Sequence, residues 1–232
     1  MTAARSAAGV RAVVFDMDGV LIDSELIWQR VRRDYASERG QVWTDADQRD
    51  MLGRSALDWS ARMCERLHIT HLTPAALAQE IIARVEQAFQ RRLPLRPGAA
   101  EALAALAAQY PLGLASGSPR VLVDCALQVT GLEPYFQSVL SGDDVQRGKP
   151  HPEIYTRSLA RLGVAPGEAA GIEDAPNGLR ALRAAGLWAV AAPSPEFPLA
   201  PQDLALAHAH ITHLGQLTVA LVSALPGHTL PS

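Results

Sequence analysis

Lysine is nearly absent from this chain: Lys149 stands alone against twenty arginines in 232 residues. Cysteine is limited to Cys64 and Cys125, far apart and without a C-x-x-C neighbour. That spacing gives no ground for a disulfide framework, and two small reduced hydrophobes are expected. Positive charge is also lacking. A net charge of −3 and a pI near 6.2 supply no field for a nucleic-acid backbone or an anionic membrane surface. No apolar run approaches the roughly 20 residues of a membrane span. The opening "MTAARSAAGVRAVVFDMDGV" is broken by Asp16 and Asp18 before it forms a secretion signal, and its acid-free residues 1–11 are short for a transit peptide. A cytoplasmic monomer with neither nucleic-acid nor membrane partners is expected.

What remains is an ordinary globular composition, 48% hydrophobic and 19% charged. It is long enough for one large domain, or one with an insert. Short apolar runs at 11–16, 111–116, 138–144, 169–174 and 187–193 read as buried strands. Helical segments at 97–109, 119–130, 151–163 and 176–186 fall between them, with proline near the start or glycine at the end. Such alternation implies an α/β fold, a doubly wound parallel sheet with helices on both faces. Residues 24–92 break the rhythm with helical patterns only and read as a helical insert, leaving 1–23 and 93–232 for the core.

In a parallel sheet, sites form beyond the carboxyl ends of the strands. Asp16, Asp18, Ser116, Asp143, Glu173 and Asp174 end predicted strands and belong along that edge. Asp16 and Asp18, two apart, are expected to face one side. Two adjacent carboxylates repel each other, and a divalent cation offsets this; oxygen-only ligation suits Mg²⁺. The alternative for each acidic pair is capping of the helix that follows. Lys149, between Gly148 and Pro150, offers a compact ammonium where the wide arginine fork does not fit; a surface lysine is the alternative. Ser116 and Gly117 in "LASGS" supply a hydroxyl and amides suited to phosphate oxygens.

"FDMDGVLIDSE", "LASGS", "RGKPHPEIY" and "GIEDAPNG" together resemble the four motifs of the haloacid dehalogenase superfamily. The likeness is to its helical-cap, beta-phosphoglucomutase-like branch, and most of all to the hexitol-phosphate and 2-deoxyglucose-6-phosphate phosphatases. The resemblance implies a Mg²⁺-dependent phosphatase of a small sugar or polyol monophosphate, with residues 24–92 as the cap. It implies Asp16 as nucleophile, Asp18 as general acid and base, and Ser116 and Gly117 with Lys149 on the phosphoryl group. The implied Mg²⁺ ligands are Asp16, the Asp18 carbonyl and Asp174, with Glu173 assisting through water. Ala175 departs from the serine of many relatives, which affects a supporting hydrogen bond rather than a ligand. A sugar-phosphate mutase and a non-catalytic phosphometabolite-binding relative are the alternatives. Trp28, Ala56 and Pro119 occupy the places of mutase cap and grip residues, which favours hydrolysis. Trp28, Arg54 and Ser118 are candidate substrate contacts, with a core role for Trp28 and a solvated one for Arg54 as alternatives. His208, His210 and His213 are read as surface or core residues rather than zinc ligands, and Asp143 and Asp144 as turn or cap residues as readily as partners of Lys149.

Overall fold

The structure is a computed structural model that describes residues 9–51 and 55–227. Chain order is β1 (Ala12–Phe15), α1 (Glu25–Ser37), α2 (Asp45–Met51), α3 (Ala56–Arg66), α4 (Pro74–Arg91), α5 (Ala99–Ala107), β2 (Leu112–Ala115), α6 (Arg120–Thr130) and β3 (Phe136–Leu140). Then come α7 (Glu153–Leu162), β4 (Ala169–Glu173), α8 (Pro176–Ala184), β5 (Trp188–Ala191), α9 (Pro201–Leu204), β6 (Ala209–His210) and α10 (Val219–Ala224).

The described strands form one parallel sheet in the order β3-β2-β1-β4-β5-β6. The chain runs outward from β1 through β2 to β3, then returns to β4 on the other side of β1. The β1–β4 boundary is therefore the switch point, where a doubly wound sheet opens a crevice. Residues alternate between two cores. Val13 and Phe15 point to the face covered by α5 and α6, through Leu103, Leu106, Leu122 and Val123. Ala12 and Val14 point to the face covered by α7 and α8, through Ile154, Leu159, Leu179 and Leu182. Both faces of β1 are buried, so its sequence is an unbroken apolar run rather than an alternation.

Between β1 and β2 the chain leaves the sheet for α1 to α4. No named strand lies there among the described residues. Helix α4 starts on Thr73, whose hydroxyl accepts from the Ala76 amide, with Pro74 at its first position. The same buried cluster that lines one sheet face continues into these helices through Tyr35, Met63, Leu77, Ile81 and Phe89. The outgoing and returning chains lie side by side: the Asp23 amide donates to the Pro94 carbonyl at 3.0 Å and that of Arg96 to Leu21 at 2.9 Å.

Two sequence expectations are corrected. The run at 138–144 is a strand only to Leu140; Gly142–Asp144 turn in a short 3₁₀ segment because the Asp144 carboxylate folds back onto the Ser141 amide and hydroxyl. Asp143 does not join the site edge. Its carboxylate caps α6, accepting from the Arg120 amide at 2.8 Å.

Candidate active site

Lys149 is the centre of the site. From the loop between β3 and α7 its Nζ donates to Asp16 Oδ1 at 2.6 Å and Glu173 Oε1 at 2.7 Å. The side chain is largely buried, 13% exposed, and its ammonium lies 5.1 Å from the centre of the Tyr155 ring. Burial works against the charge, but the two carboxylates outweigh it and hold Lys149 well above its ordinary pKa. The surface alternative for this lysine is thereby set aside.

Asp16 and Glu173 end β1 and β4, neighbours at the switch point, and the Asp16 amide donates to the Ile172 carbonyl at 3.0 Å. Glu173 has a full set of partners. Besides Lys149, its carboxylate accepts from the Tyr155 hydroxyl at 2.6 Å and from the amides of Asp174 and Ala175 at 3.1 and 3.3 Å. The Ala175 backbone thus supports Glu173 without a side-chain hydroxyl. Gly178 of α8 makes room for this arrangement, since a Cβ there would sit 1.8 Å from the Glu173 carboxylate.

Ligand oxygens of Asp16, Glu173 and Asp174 lie within 4.8 Å of one another. Burial, then the Glu173 charge, push Asp16 up to about 8 against the pull of Lys149, and the same causes raise Asp174. Ionised together, three carboxylates against one ammonium would leave two negative charges in a buried space. A divalent cation with a preference for oxygen fits that excess. Gly19, at φ +75°, turns the chain beside this cluster; a Cβ there would meet Asp174 Oδ2 at 2.0 Å.

Asp18 follows β1 beyond Phe15 and bridges to Ile22, near enough to Asp16 for its charge to raise the pKa of that group. Its carboxylate accepts from three hydroxyls: Ser24 at 2.6 Å on Oδ1, Ser116 at 3.1 Å and Ser118 at 2.8 Å on Oδ2. It is therefore absent from the acidic cluster, where only its backbone carbonyl was expected. Ser116 is buried at the end of β2, with its Oγ also accepting from the Ser118 amide at 3.0 Å. Gly117 faces open space: a Cβ there would meet nothing within 4 Å.

Trp28 is buried in α1, edge-on to Trp59 of α3 with ring centroids 5.8 Å apart, and Arg32 lies over its ring at 4.8 Å. Its face is occupied, which supports the packing alternative. Arg54 lies outside the described residues. Ala56 opens α3 and Pro119 precedes α6. His208 accepts from the Ala189 amide at 2.9 Å and packs edge-on against Trp188, while no histidine enters the metal-suited group among the described residues. Sequence reasoning missed Ser24, Tyr155, Gly178 and a buried group around Glu25 and Arg32. Ser24 and Glu25 were visible inside "DSE" and Tyr155 inside "PEIY", but their partners are distant in sequence.

Fold and site together define a class: doubly wound α/β proteins with a helical insert and an acidic, cation-suited cluster around one lysine at the switch point. The chain belongs to the haloacid dehalogenase-like hydrolase family, whose model matches residues 10–186. It is 33% identical over 218 residues to hexitol phosphatase B of Escherichia coli O157:H7, covering 90% of this chain and 95% of that protein. It is 32% identical over 179 residues to a phosphorylated carbohydrates phosphatase of Thermotoga maritima, covering 77% and 82%. Among solved structures, CbbY from Rhodobacter sphaeroides in complex with phosphate superposes with a TM-score of 0.81 at 26% identity, covering 91% of this chain and 98% of that one.

Proposed function

We propose that this chain is a Mg²⁺-dependent phosphatase that hydrolyses a small sugar or polyol monophosphate through an aspartyl-phosphate. The observation that carries the reading is the buried ammonium of Lys149 held between Asp16 and Glu173, beside Asp174. Relatives named for hexitol and carbohydrate phosphates support the substrate class.

Asp16 attacks phosphorus, and the bond to the substrate's ester oxygen breaks as the aspartyl-phosphate forms. Asp18 gives its proton to that leaving oxygen, then removes one from the water that attacks the phosphoryl group. Inorganic phosphate leaves and the Asp16 carboxylate is restored. Hydroxyls both donate and accept, so Ser24, Ser116 and Ser118 can hold Asp18 in either protonation state. Lys149 neutralises phosphoryl oxygens, with Ser116 and the Gly117 amide completing the cradle. Asp16 and Asp174, with the Asp18 carbonyl and Glu173 behind them, would hold Mg²⁺, which supplies charge stabilisation for the transferred group. Glu173 serves chiefly to position Lys149, because its oxygens are already engaged.

The helices of residues 24–92 act as a cap over the core formed by 1–23 and 93–232, closing on the paired crossings at Asp23 and Pro94. Phosphate release from a panel of sugar, polyol and short-chain acid monophosphates, with and without Mg²⁺, tests the reading. Mg²⁺-dependent turnover supports it; a folded protein inactive across the panel rejects it.

A further inference from the structure

Five buried side-chain polar atoms lack a hydrogen-bond partner among the described residues, and three of them belong to one group in the helical insert. These are Glu25 Oε2, Arg32 Nε and Gln48 Nε2; the other two are the single hydroxyls of Ser138 and Ser158. A buried polar atom left unpaired costs free energy, so a cluster of three needs a reason.

Glu25 opens α1 directly after Ser24, which is bonded to Asp18. Glu25, Trp28 and Arg32 follow at helical spacing and share one face. Arg32 is gripped by two tryptophans, with its guanidinium 4.8 Å from the Trp28 ring and 5.0 Å from that of Trp59. Gln48 of α2 is fixed by its carbonyl oxygen, which accepts from Trp43 Nε1 at 3.2 Å, leaving the amide nitrogen free. Burial, then the Asp18 charge, raise Glu25 to about 7 against the pull of Arg32 and the Gln48 amide, and neither of these two closes a hydrogen bond of good geometry onto Oε2. Glu25 also lies at the site end of the group, because it directly follows Ser24, whose hydroxyl donates to Asp18 at 2.6 Å. Arg32 is two turns further along α1, about 10 Å away along the helix axis. A molecule extending from the phosphate position therefore meets Glu25 before Arg32.

We propose that Glu25, held by Arg32 and Gln48, determines specificity: its free carboxylate oxygen accepts hydrogen bonds from hydroxyls at the non-phosphate end of a polyhydroxylated monophosphate and rejects a substrate with a carboxylate there. This rests on the phosphatase reading above. Oε2 is closed off from solvent, so the substrate enters with the helical insert displaced and meets Glu25 as it closes. The tryptophans hold the arginine rather than the sugar.

The test is kcat/KM on a hexitol monophosphate, 2-phosphoglycolate and p-nitrophenyl phosphate, for the wild type, Glu25→Gln and Gln48→Leu, with melting temperatures to confirm folding. The wild type should prefer the hexitol ester to phosphoglycolate by tenfold or more. Glu25→Gln should lower the ratio of hexitol ester to p-nitrophenyl phosphate by about 10- to 100-fold, with a raised KM. Gln48→Leu should lower it less. Equal losses on all three compounds, or an unchanged ratio in both variants, would overturn the inference while leaving the phosphatase reading intact. Tighter use of a hexose bisphosphate through Arg32 would overturn it in favour of a second phosphate grip. A folded wild type inactive even on p-nitrophenyl phosphate would overturn both.

Discussion

The sheet edge and the interior of the helical insert both bury charge, but they satisfy it differently. At the edge, Asp18 has three hydroxyls, Glu173 has an ammonium, a phenol and two amides, and Lys149 has two carboxylates. In the insert, Glu25, Arg32 and Gln48 each keep a buried atom unpaired. The edge is complete as a scaffold and lacks only counter-charge for its carboxylates. The insert lacks hydrogen-bond partners. The difference separates two tasks: a fixed chemistry, organised before anything binds, and a recognition surface completed by what binds.

The sharpest way to break the comparison is Asp16→Asn. It should remove turnover by about 10⁴-fold or more, while the metal-free protein becomes more stable at neutral pH because no buried carboxyl has to be held protonated against its ordinary pKa. Rates and thermal melts check both halves; a variant that is both inactive and destabilised would show that Asp16 is structural.

Next is Lys149. Lys149→Ala leaves Asp16 and Glu173 facing each other without a cation, at a cost of about 3–5 kcal/mol in stability and about 10²- to 10³-fold in rate. Lys149→Arg should fail to restore the rate, because a planar fork does not fit between two oxygens held this close. Denaturant titration and kinetics measure both.

Gly178→Ala has a smaller effect. Its Cβ collides with the Glu173 carboxylate, so Glu173 must shift and Lys149 with it. A loss of about 1–3 kcal/mol is expected, with a reduced kcat.

The pH dependence of stability sharpens the contrast further. The folded Asp16 pKa of about 8 lies above its ordinary value of 3.8. Between those values the unfolded chain gives up a proton that the folded chain retains, so the metal-free protein should lose stability as pH rises from about 4 to about 8. Mg²⁺ favours the charged form and should flatten that decline. A melting temperature that rises across the window without metal would contradict the assignment.

Much of this was legible in the sequence, and the rest was hidden for identifiable reasons. β1, β2, β4 and β5 are buried on both faces, so their apolar runs were plain. β6, with two residues, and α9, with four, are too short to leave a periodic signal. Lys149 stood out because its type occurs nowhere else. Its partners did not: Tyr155 lies in α7, and nothing in its own segment marks that its hydroxyl fixes Glu173. Asp143 misled because it follows a strand, and only the tertiary position of the Arg120 amide shows that it caps α6. Glu25 and Arg32 went unmarked, since burial by other helices is not written in their own segment.

The most direct measurement is inorganic phosphate release from a hexitol monophosphate by the wild type and Asp16→Asn, each with Mg²⁺ and with a chelator. Release only by the wild type, and only with Mg²⁺, is the predicted result. Equal release by the variant, or full release with the chelator present, would contradict a reaction carried by Asp16 within a cation-filled acidic cluster.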